Sequence, residues 1–195
     1  MTPQTFIFFG IAGSGKGTQI KLLTDFLKSK HNLESVYAGT GDGFRQMINS
    51  DSYTANLVKE KMNRGEYIDD FLTNTIFTNM LVSSLTAEKN LIADGYPRTV
   101  PQSGVFEQMM NFFKRELVNI IYIEVGKEES NKRNLLRGRA DDTNEGLEKR
   151  YDEYINKVIP SMNYFKDKTN YKIHTINGEQ SVENVQIDII KSLGY

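Results

Sequence analysis

Short apolar runs rich in β-branched and aromatic residues recur along the chain and predict buried β-strands. They fall at residues 5–10, 90–95, 119–125 and 171–176, with a shorter run at 35–38. Between these runs, apolar residues recur three or four positions apart, as Ile20, Leu23 and Leu27 do. That spacing predicts helices that each bury one face. The chain is therefore expected to alternate strands with helices.

This alternation predicts an α/β fold, a parallel sheet with helices on both faces, because right-handed crossovers join parallel strands. Ligands of such sheets bind at the carboxyl ends of the strands. Residues 41–70 break the pattern, since they are polar, helical in spacing and without a strand, and they predict a helical insertion. The chain contains no internal repeat and no Pro/Gly-rich linker. We expect one domain over residues 1–195, with a core of residues 1–39, 71–136 and 143–195.

The 195-residue chain carries a formal net charge of −1 and has no cysteine. Such a charge offers no general attraction to nucleic acid or to an anionic membrane, so anion binding must come from local clusters. A chain without cysteine forms neither disulfides nor thiolate zinc sites, which suits the cytoplasm. No apolar run approaches membrane-spanning length, and the N-terminal segment lacks the features of a secretory signal. We therefore expect a cytoplasmic protein that binds neither nucleic acid nor membrane.

The stretch GIAGSGKGTQ at residues 10–19 nearly matches the phosphate-binding loop Gly-x-x-x-x-Gly-Lys-Ser/Thr, except that Gly17 occupies the hydroxyl position and Thr18 follows it. A predicted strand precedes it and a predicted helix follows it, as such a loop requires. Its glycines let successive amides turn toward a polyphosphate, the helix N-terminus adds positive potential, and Lys16 supplies a full charge. The sequence thus predicts a nucleotide polyphosphate site rather than a plain glycine-rich turn. The reaction stays open here, because GTPases, ATPases, small-molecule kinases and simple nucleotide binders all use such loops.

Three motifs together resemble one family. Gly-Lys-Gly-Thr at 15–18, GTGDGFR at 39–45 and DGYPRTVPQ at 94–102 occur in the order typical of nucleoside monophosphate kinases, and of short-lid adenylate kinases above all. The resemblance spans nearly the whole chain. It implies a P-loop NTPase-type parallel sheet, an insertion that binds the nucleoside monophosphate at about residues 40–70, and a very short lid at about residues 137–142.

The resemblance also implies a reaction, the reversible Mg²⁺-dependent transfer of the γ-phosphoryl group from ATP to AMP, giving two ADP, by a monomer. The attacking oxygen belongs to a phosphate with a second pKa of about 6, so it is ionised at neutral pH and needs no general base. Catalysis is then expected from positioning and charge neutralisation. Three alternatives stay open: a UMP/CMP or broad-specificity nucleoside monophosphate kinase, a hydroxyl kinase with Asp42 as base, and a catalytically inactive nucleotide-binding regulator.

On the acceptor side, Arg45 and Arg98 suit a substrate that is itself a phosphate ester, because each can hold phosphate oxygens in a bidentate fork. Adenylate kinases typically have Thr and Gln where Thr40 and Gln102 stand, whereas UMP/CMP kinases tend to have Ala and Asn, so both positions imply adenine. The AMP-binding residues that the resemblance implies are Thr40, Arg45, Glu66, Tyr67, Ile68, Gly95, Tyr96, Pro97, Arg98, Gln102, Arg139 and Arg150. Asp94 ends a predicted strand and is the implied Mg²⁺ carboxylate, acting through water. Its structural alternative is a turn-forming Asp before Gly95.

On the donor side, residues 133–150 concentrate arginines that, taken singly, a solvated basic face would explain equally well. The resemblance implies that Arg133 stacks on the donor adenine, and that Arg139 and Arg150 stabilise the phosphoryl group in flight. The implied ATP-binding residues are Gly13, Ser14, Gly15, Lys16, Gly17, Thr18, Arg133, Arg137 and Gln180, and the implied catalytic residues are Lys16, Arg98, Arg137, Arg139 and Arg150. Short-lid adenylate kinases have a few more residues between the positions of Arg137 and Arg139, so this lid is trimmed. Without a cysteine knuckle, no structural zinc is expected.

Overall fold

Five parallel strands form one sheet in the computed structural model, which describes residues 3–138 and 143–195. The strands are β1 (Thr5–Phe9), β2 (Ser35–Gly39), β3 (Asn90–Asp94), β4 (Val118–Glu124) and β5 (Tyr171–Asn177). Their order across the sheet is β2-β3-β1-β4-β5. All neighbours pair in parallel. The predicted strands are confirmed, each to within about one residue at either end.

Helices connect the strands. Those in the described residues are α1 (Lys16–His31), α2 (Thr40–Met47), α3 (Tyr53–Asn63), α4 (Asp70–Ser84), α5 (Val100–Phe112), α6 (Lys127–Arg137), α7 (Asn144–Glu153), α8 (Ile159–Asn163) and α9 (Val182–Leu193), and a π-helical segment, Tyr154–Val158, joins α7 to α8. The side chains of Ser52, Thr99 and Ser181 cap α3, α5 and α9, each accepting a hydrogen bond from the N–H three residues later. None of these described helices is both long and apolar enough to cross a membrane.

Both faces of the sheet are buried, because successive residues of a strand point to opposite faces. Ile7 of β1 belongs to a cluster that includes Phe77 of α4. Its neighbour Phe6 belongs to another cluster, with Leu23 of α1 and Ile189 of α9. The prediction of a parallel sheet with helices on both faces is confirmed.

The predicted insertion contains α2 and α3 and no strand. Its first helix packs on α4 at Gly43, where an added Cβ would lie 2.6 Å from Ile76 Cγ2. Its far end returns to the start of α7, since a Cβ on Gly65 would lie 3.3 Å from the Cα of Gly146. Of the predicted lid, the structure describes Arg137 and Gly138, whereas residues 139–142 lie outside the described part.

Strand register brings the sequence motifs together at one edge of the sheet. Asp94, the last residue of β3, pairs with Phe8 of β1 on one side and with Gly39 of β2 on the other. The glycine-rich loop that follows β1, the Asp94 carboxylate and the start of α2 therefore lie side by side. This edge holds the carboxyl ends of the strands, where a doubly wound sheet places its ligands.

Candidate active site

A cleft of about 1140 Å³ opens at the carboxyl ends of the strands. Its walls come from the glycine-rich loop, the insertion with its return loop (residues 64–69), the segment after β3 (residues 95–99), and residues of α6, α7 and the π-helical segment. Polar and charged groups from these six parts of the chain thus face one space. That space is large enough for a drug-sized or larger ligand.

The glycine-rich loop owes its shape to backbone angles that other residues rarely adopt. Gly10, Gly13 and Gly15 have φ values of 147°, 81° and 91°. Gly13 is doubly required, because a Cβ there would lie 2.7 Å from Asn134 Nδ2 and 2.8 Å from the Ser130 carbonyl oxygen. The loop ends where α1 begins, at Lys16, so the free N–H groups of the first turn point toward the cleft.

Helix α6 supports this loop from behind. The carbonyl oxygen of Ala12 accepts hydrogen bonds from Ser130 Oγ at 2.7 Å and from Asn134 Nδ2 at 2.9 Å. Both side chains are buried. Sequence reasoning missed this pair, because α6 also contains Asn131 and several charged residues, so no local signal distinguishes Ser130 and Asn134.

The Lys16 ammonium lies at the centre of the site. Its Nζ donates hydrogen bonds to the carbonyl oxygens of Gly10 at 2.7 Å and Ile11 at 2.9 Å. Its pKa is lowered to about 8, chiefly by burial, and the positive charges of Arg98 and Arg137 add to this lowering, whereas the Asp94 carboxylate only partly opposes it. Lys16 therefore remains mostly protonated at neutral pH, and its pKa depends on charges contributed by three other parts of the chain.

The Asp42 and Asp94 carboxylates both contact the hydroxyl of Tyr37, beside the glycine-rich loop. Tyr37 of β2 directs its hydroxyl to Asp42 Oδ2 at 2.9 Å and to Asp94 Oδ2 at 3.2 Å. Burial raises the pKa of Tyr37, and the charges of Asp94 and Asp42 raise it further, so its hydroxyl stays protonated as a donor. The other Asp42 oxygen accepts from Arg45. Sequence reasoning did not find Tyr37.

The segment after β3 holds Arg98 in place. The carbonyl oxygen of Gly95 accepts from Arg98 Nε and from Thr40 Oγ1, both at 2.8 Å. Gly95 has φ 70°, and a Cβ there would lie 2.7 Å from an Arg98 terminal nitrogen, so the position requires glycine. The guanidinium lies over the ring of Tyr67, with Cζ 4.9 Å from the ring centroid. Lys157 approaches the same ring at 5.4 Å.

Gln102, at the start of α5, is only 2% exposed, and both ends of its amide are engaged. Its Oε1 accepts from the Arg98 backbone N–H at 2.8 Å, and its Nε2 donates to Asp70 Oδ1 at 2.8 Å. The second Asp70 oxygen accepts from Thr99 Oγ1 at 2.8 Å. All four residues line the cleft. Sequence reasoning placed Gln102 here but missed Asp70.

The chain is similar in sequence to known adenylate kinases. A family model described as adenylate kinase matches residues 8–170. The adenylate kinase of Prochlorococcus marinus (strain MIT 9301) is 33% identical over 183 residues, which cover 94% of each chain. That of Thermosipho africanus (strain TCF52B) is 32% identical and covers 96% of this chain and 98% of its own. That of Flavobacterium psychrophilum is 32% identical over 92% of each chain.

The chain belongs to the adenylate kinase family. Adenylate kinases are ATP:AMP phosphotransferases, so the predicted family, fold class, reaction and enzyme class are confirmed. ATP, AMP and ADP are the substrates and products of this family.

Most of the residues that the sequence nominated for an adenylate kinase site surround the cleft. They are Gly13, Gly15, Lys16, Gly17, Thr18, Thr40, Arg45, Glu66, Tyr67, Ile68, Asp94, Gly95, Pro97, Arg98, Gln102, Arg133, Arg137 and Arg150. Arg139 lies outside the described residues. Ser14 is a buried residue of the loop itself. Tyr96 turns its hydroxyl away to Asn74 Oδ1 at 2.7 Å, which satisfies this buried group.

The predicted donor-adenine contacts are arranged as neighbours. Arg133 is held by Glu129 Oε1 at 2.7 Å and donates to the carbonyl oxygen of Gly178 at 3.1 Å. Gln180 follows in the same loop, but its amide binds the Asn177 carbonyl oxygen and Asp188 Oδ2. Both bonds use the Nε2 group, so Gln180 could offer a nucleotide its side-chain Oε1 or its main chain.

Adenylate kinases use Mg²⁺ with ATP, and the residues present fit that ion. Asp94 and Asp42 offer the oxygen ligands that Mg²⁺ prefers, within reach of the phosphate loop. Across residues 3–138 and 143–195, no group of three His, Cys, Asp or Glu side chains could hold a metal ion alone. This donor set suits an ion whose shell is completed by nucleotide phosphates and water.

Proposed function

We propose that the cleft transfers the γ-phosphoryl group of Mg·ATP to AMP, reversibly, with the two nucleotides on opposite sides of Lys16. The observation that carries this proposal is the convergence of charges on Lys16. Asp94 from β3, Arg98 from the segment after it and Arg137 from α6 all act on the pKa of this one ammonium. Such a convergence suits a reaction in which negative charge is redistributed among phosphate oxygens.

The acceptor would bind between the insertion and the segment after β3. Arg45 and Arg98 would hold its phosphate, and the fixed position of Arg98 reduces the entropy lost on binding. Thr40 and Gln102 would face the adenine. The return loop of the insertion, with Glu66, Tyr67 and Ile68, would close the base pocket, and Gly95 and Pro97 would line its floor.

The donor would lie along the phosphate loop and α6. The amides of Gly13, Gly15, Gly17 and Thr18 would bind the β- and γ-phosphates, and Arg133 would cover the adenine beside the loop at Gly178. Arg137, Arg139 and Arg150 would neutralise the phosphoryl group during transfer. Asp94 would hold Mg²⁺ through water, and the bound ion supplies further neutralisation of phosphate charge.

No base is needed in this mechanism, because the attacking oxygen of AMP is already ionised at neutral pH. The chain would contribute positioning and electrostatic stabilisation only. We further propose that residues 40–70 and the short lid at 137–142 act as mobile elements around a core of residues 1–39, 71–136 and 143–195, closing over the nucleotides and excluding water. Both elements border the cleft, since Glu66 of the insertion and Arg137 of the lid line it, and this supports the proposal.

The enzyme is further proposed to act as a monomer in the cytoplasm, without nucleic acid or membrane partners. Its near-neutral charge and cysteine-free composition support the location and the lack of polyanionic partners.

The test offers the purified protein Mg·ATP with AMP, UMP, CMP, GMP or no acceptor, and follows nucleotide formation by chromatography. ADP should form fastest with AMP, and ADP alone should return to ATP and AMP. Lys16→Ala, which removes the central charge, should abolish most of the transfer. A faster reaction with another monophosphate would overturn the assignment of the base pocket, and binding of ATP without any transfer would overturn the reaction.

A further inference from the structure

We propose that Asp70 fixes the orientation of the Gln102 amide and thereby makes the acceptor pocket select adenine over 6-oxopurines. The inference rests on the proposed acceptor pocket. Asp70 is assigned a positioning role, since it acts through Gln102.

The amide orientation follows from the chemistry of its two neighbours. A backbone N–H can only donate, so the atom that accepts from Arg98 N at 2.8 Å must be Oε1. A carboxylate can only accept, so the atom that donates to Asp70 Oδ1 at 2.8 Å must be Nε2. Rotating the amide by half a turn would set donor against donor and acceptor against acceptor. Gln102 is 2% exposed, so bulk water could not relieve either clash.

Asp70 is itself held in place. It is the first residue of α4, and its Oδ2 accepts from Thr99 Oγ1 at 2.8 Å. Thr99 in turn caps α5, the helix that carries Gln102. The carboxylate therefore joins the starts of α4 and α5. It cannot swing away from the amide without losing this second hydrogen bond.

Once these two bonds are made, Gln102 has one N–H and one Oε1 lone pair left, and the residue lines the cleft. Adenine presents a 6-amino donor beside the N1 acceptor, which this pair complements. Hypoxanthine and guanine present the reverse, a 6-oxo acceptor beside an N1–H donor. A freely rotating amide could read either arrangement, whereas the fixed amide reads adenine only, and a mismatched polar pair is rejected strongly.

The experiment compares AMP with IMP, whose base reverses both hydrogen-bonding groups while keeping nearly the same size. The ratio of kcat/KM values for AMP and IMP is measured for the wild type, Asp70→Ala, Asp70→Asn and Gln102→Ala, and AMP and IMP binding is measured by calorimetry without ATP. Asp70→Ala leaves only the Arg98 N–H to orient the amide and should lower the ratio about tenfold, in part by improving the use of IMP. Asp70→Asn keeps an oxygen for Nε2 and should retain most of the ratio.

Each failure points to a different claim. A loss of selectivity in Gln102→Ala but not in Asp70→Ala would overturn the role of Asp70 and leave the pocket standing. An unchanged ratio in Gln102→Ala would overturn the pocket itself. If Asp70 had only a structural role, its loss would lower kcat/KM for AMP and for IMP together and leave their ratio unchanged. If Asp70→Ala does not fold, Asp70→Ser replaces it, because a serine hydroxyl suits a helix start and accepts or donates equally. A wild-type ratio in that variant would equally contradict the proposal.

Discussion

The ring of Tyr37 lies so close to Gly39 that a Cβ added to Gly39 would be 2.5 Å from the ring Cζ and 2.8 Å from Cε1. The three atoms nearest to that Cβ all belong to Tyr37. Gly39 has an ordinary extended backbone, with φ −107°, so its conformation does not require glycine. The missing side chain is instead what lets Tyr37 reach across the strand end to Asp42 and Asp94.

Gly39→Ala is therefore expected to lower the free energy of unfolding by about 1–3 kcal/mol, because the tyrosine ring must move. In a Tyr37→Ala background the same substitution should cost almost nothing. Urea unfolding of the four proteins in this double-mutant cycle measures the coupling. Equal destabilisation in both backgrounds would show that Tyr37 is not the obstacle.

Lys16 should give the activity an alkaline limit. Its pKa is lowered to about 8, so the ammonium is charged below that pH and becomes neutral above it. The kcat/KM for ATP, which reports the free enzyme, should fall as pH rises through about 8. The matched variant Lys16→Arg keeps its charge at all these pH values. Whatever activity it retains should therefore not fall as pH rises through about 8. A wild-type profile that stays flat to pH 10 would contradict the assignment.

Arg98 should contribute to activity through the bidentate geometry of its guanidinium as well as through its charge. Arg98→Ala is expected to lower kcat/KM for AMP on the order of 10³-fold, by analogy with arginines that neutralise transferring phosphoryl groups. Arg98→Lys keeps the charge but loses the bidentate geometry, so it should recover only part of this loss. Steady-state kinetics with a thermal unfolding control separate activity from folding. Near-normal turnover of a folded Arg98→Ala protein would remove this residue from the mechanism.

Weakening the hydrogen bonds by which α6 holds the phosphate loop should affect the KM for the donor nucleotide and not that for the acceptor. Asn134→Ala removes a buried hydrogen bond to the Ala12 carbonyl oxygen and leaves a gap against Gly13. We expect a loss of stability of about 1–3 kcal/mol and a raised KM for ATP with little change in that for AMP. Lys132→Ala on the same helix is the control, because that side chain is 71% exposed. A rise in both KM values would show that the effect is not confined to the donor nucleotide, whereas a loss of folding would lower the apparent kcat.

Several features of this enzyme could be predicted from the sequence because local chemistry determines them. The strands appear as continuous apolar runs, since a parallel sheet covered on both faces buries every residue of its central strands. The phosphate loop is recognisable because its left-handed backbone angles and its charge need glycines and a lysine at fixed spacing. For Arg45, Arg98 and Gln102, the motif order supplied the nomination, and the fold brought all three to one cleft.

Other features depend on pairs of residues far apart in the chain. Tyr37 and Asp94 are 57 residues apart, Gln102 and Asp70 are 32 apart, and Ser130 reaches Ala12 across 118 residues. Even where a motif nominated one member, as it did Asp94 and Gln102, nothing in the neighbouring sequence indicated which distant residue would be its partner.

The sequence by itself determined the strand pattern and the phosphate loop, because each depends on residue types at short, regular spacing, and it indicated the family and the reaction through the resemblance of three motifs in order. Tertiary structure alone decided which way the Gln102 amide faces, why Gly39 lacks a side chain and what holds the phosphate loop from behind. These outcomes follow from strand register and helix packing, which place donors and acceptors within 3 Å or so of each other, and hydrogen bonding at that range leaves no trace in local composition.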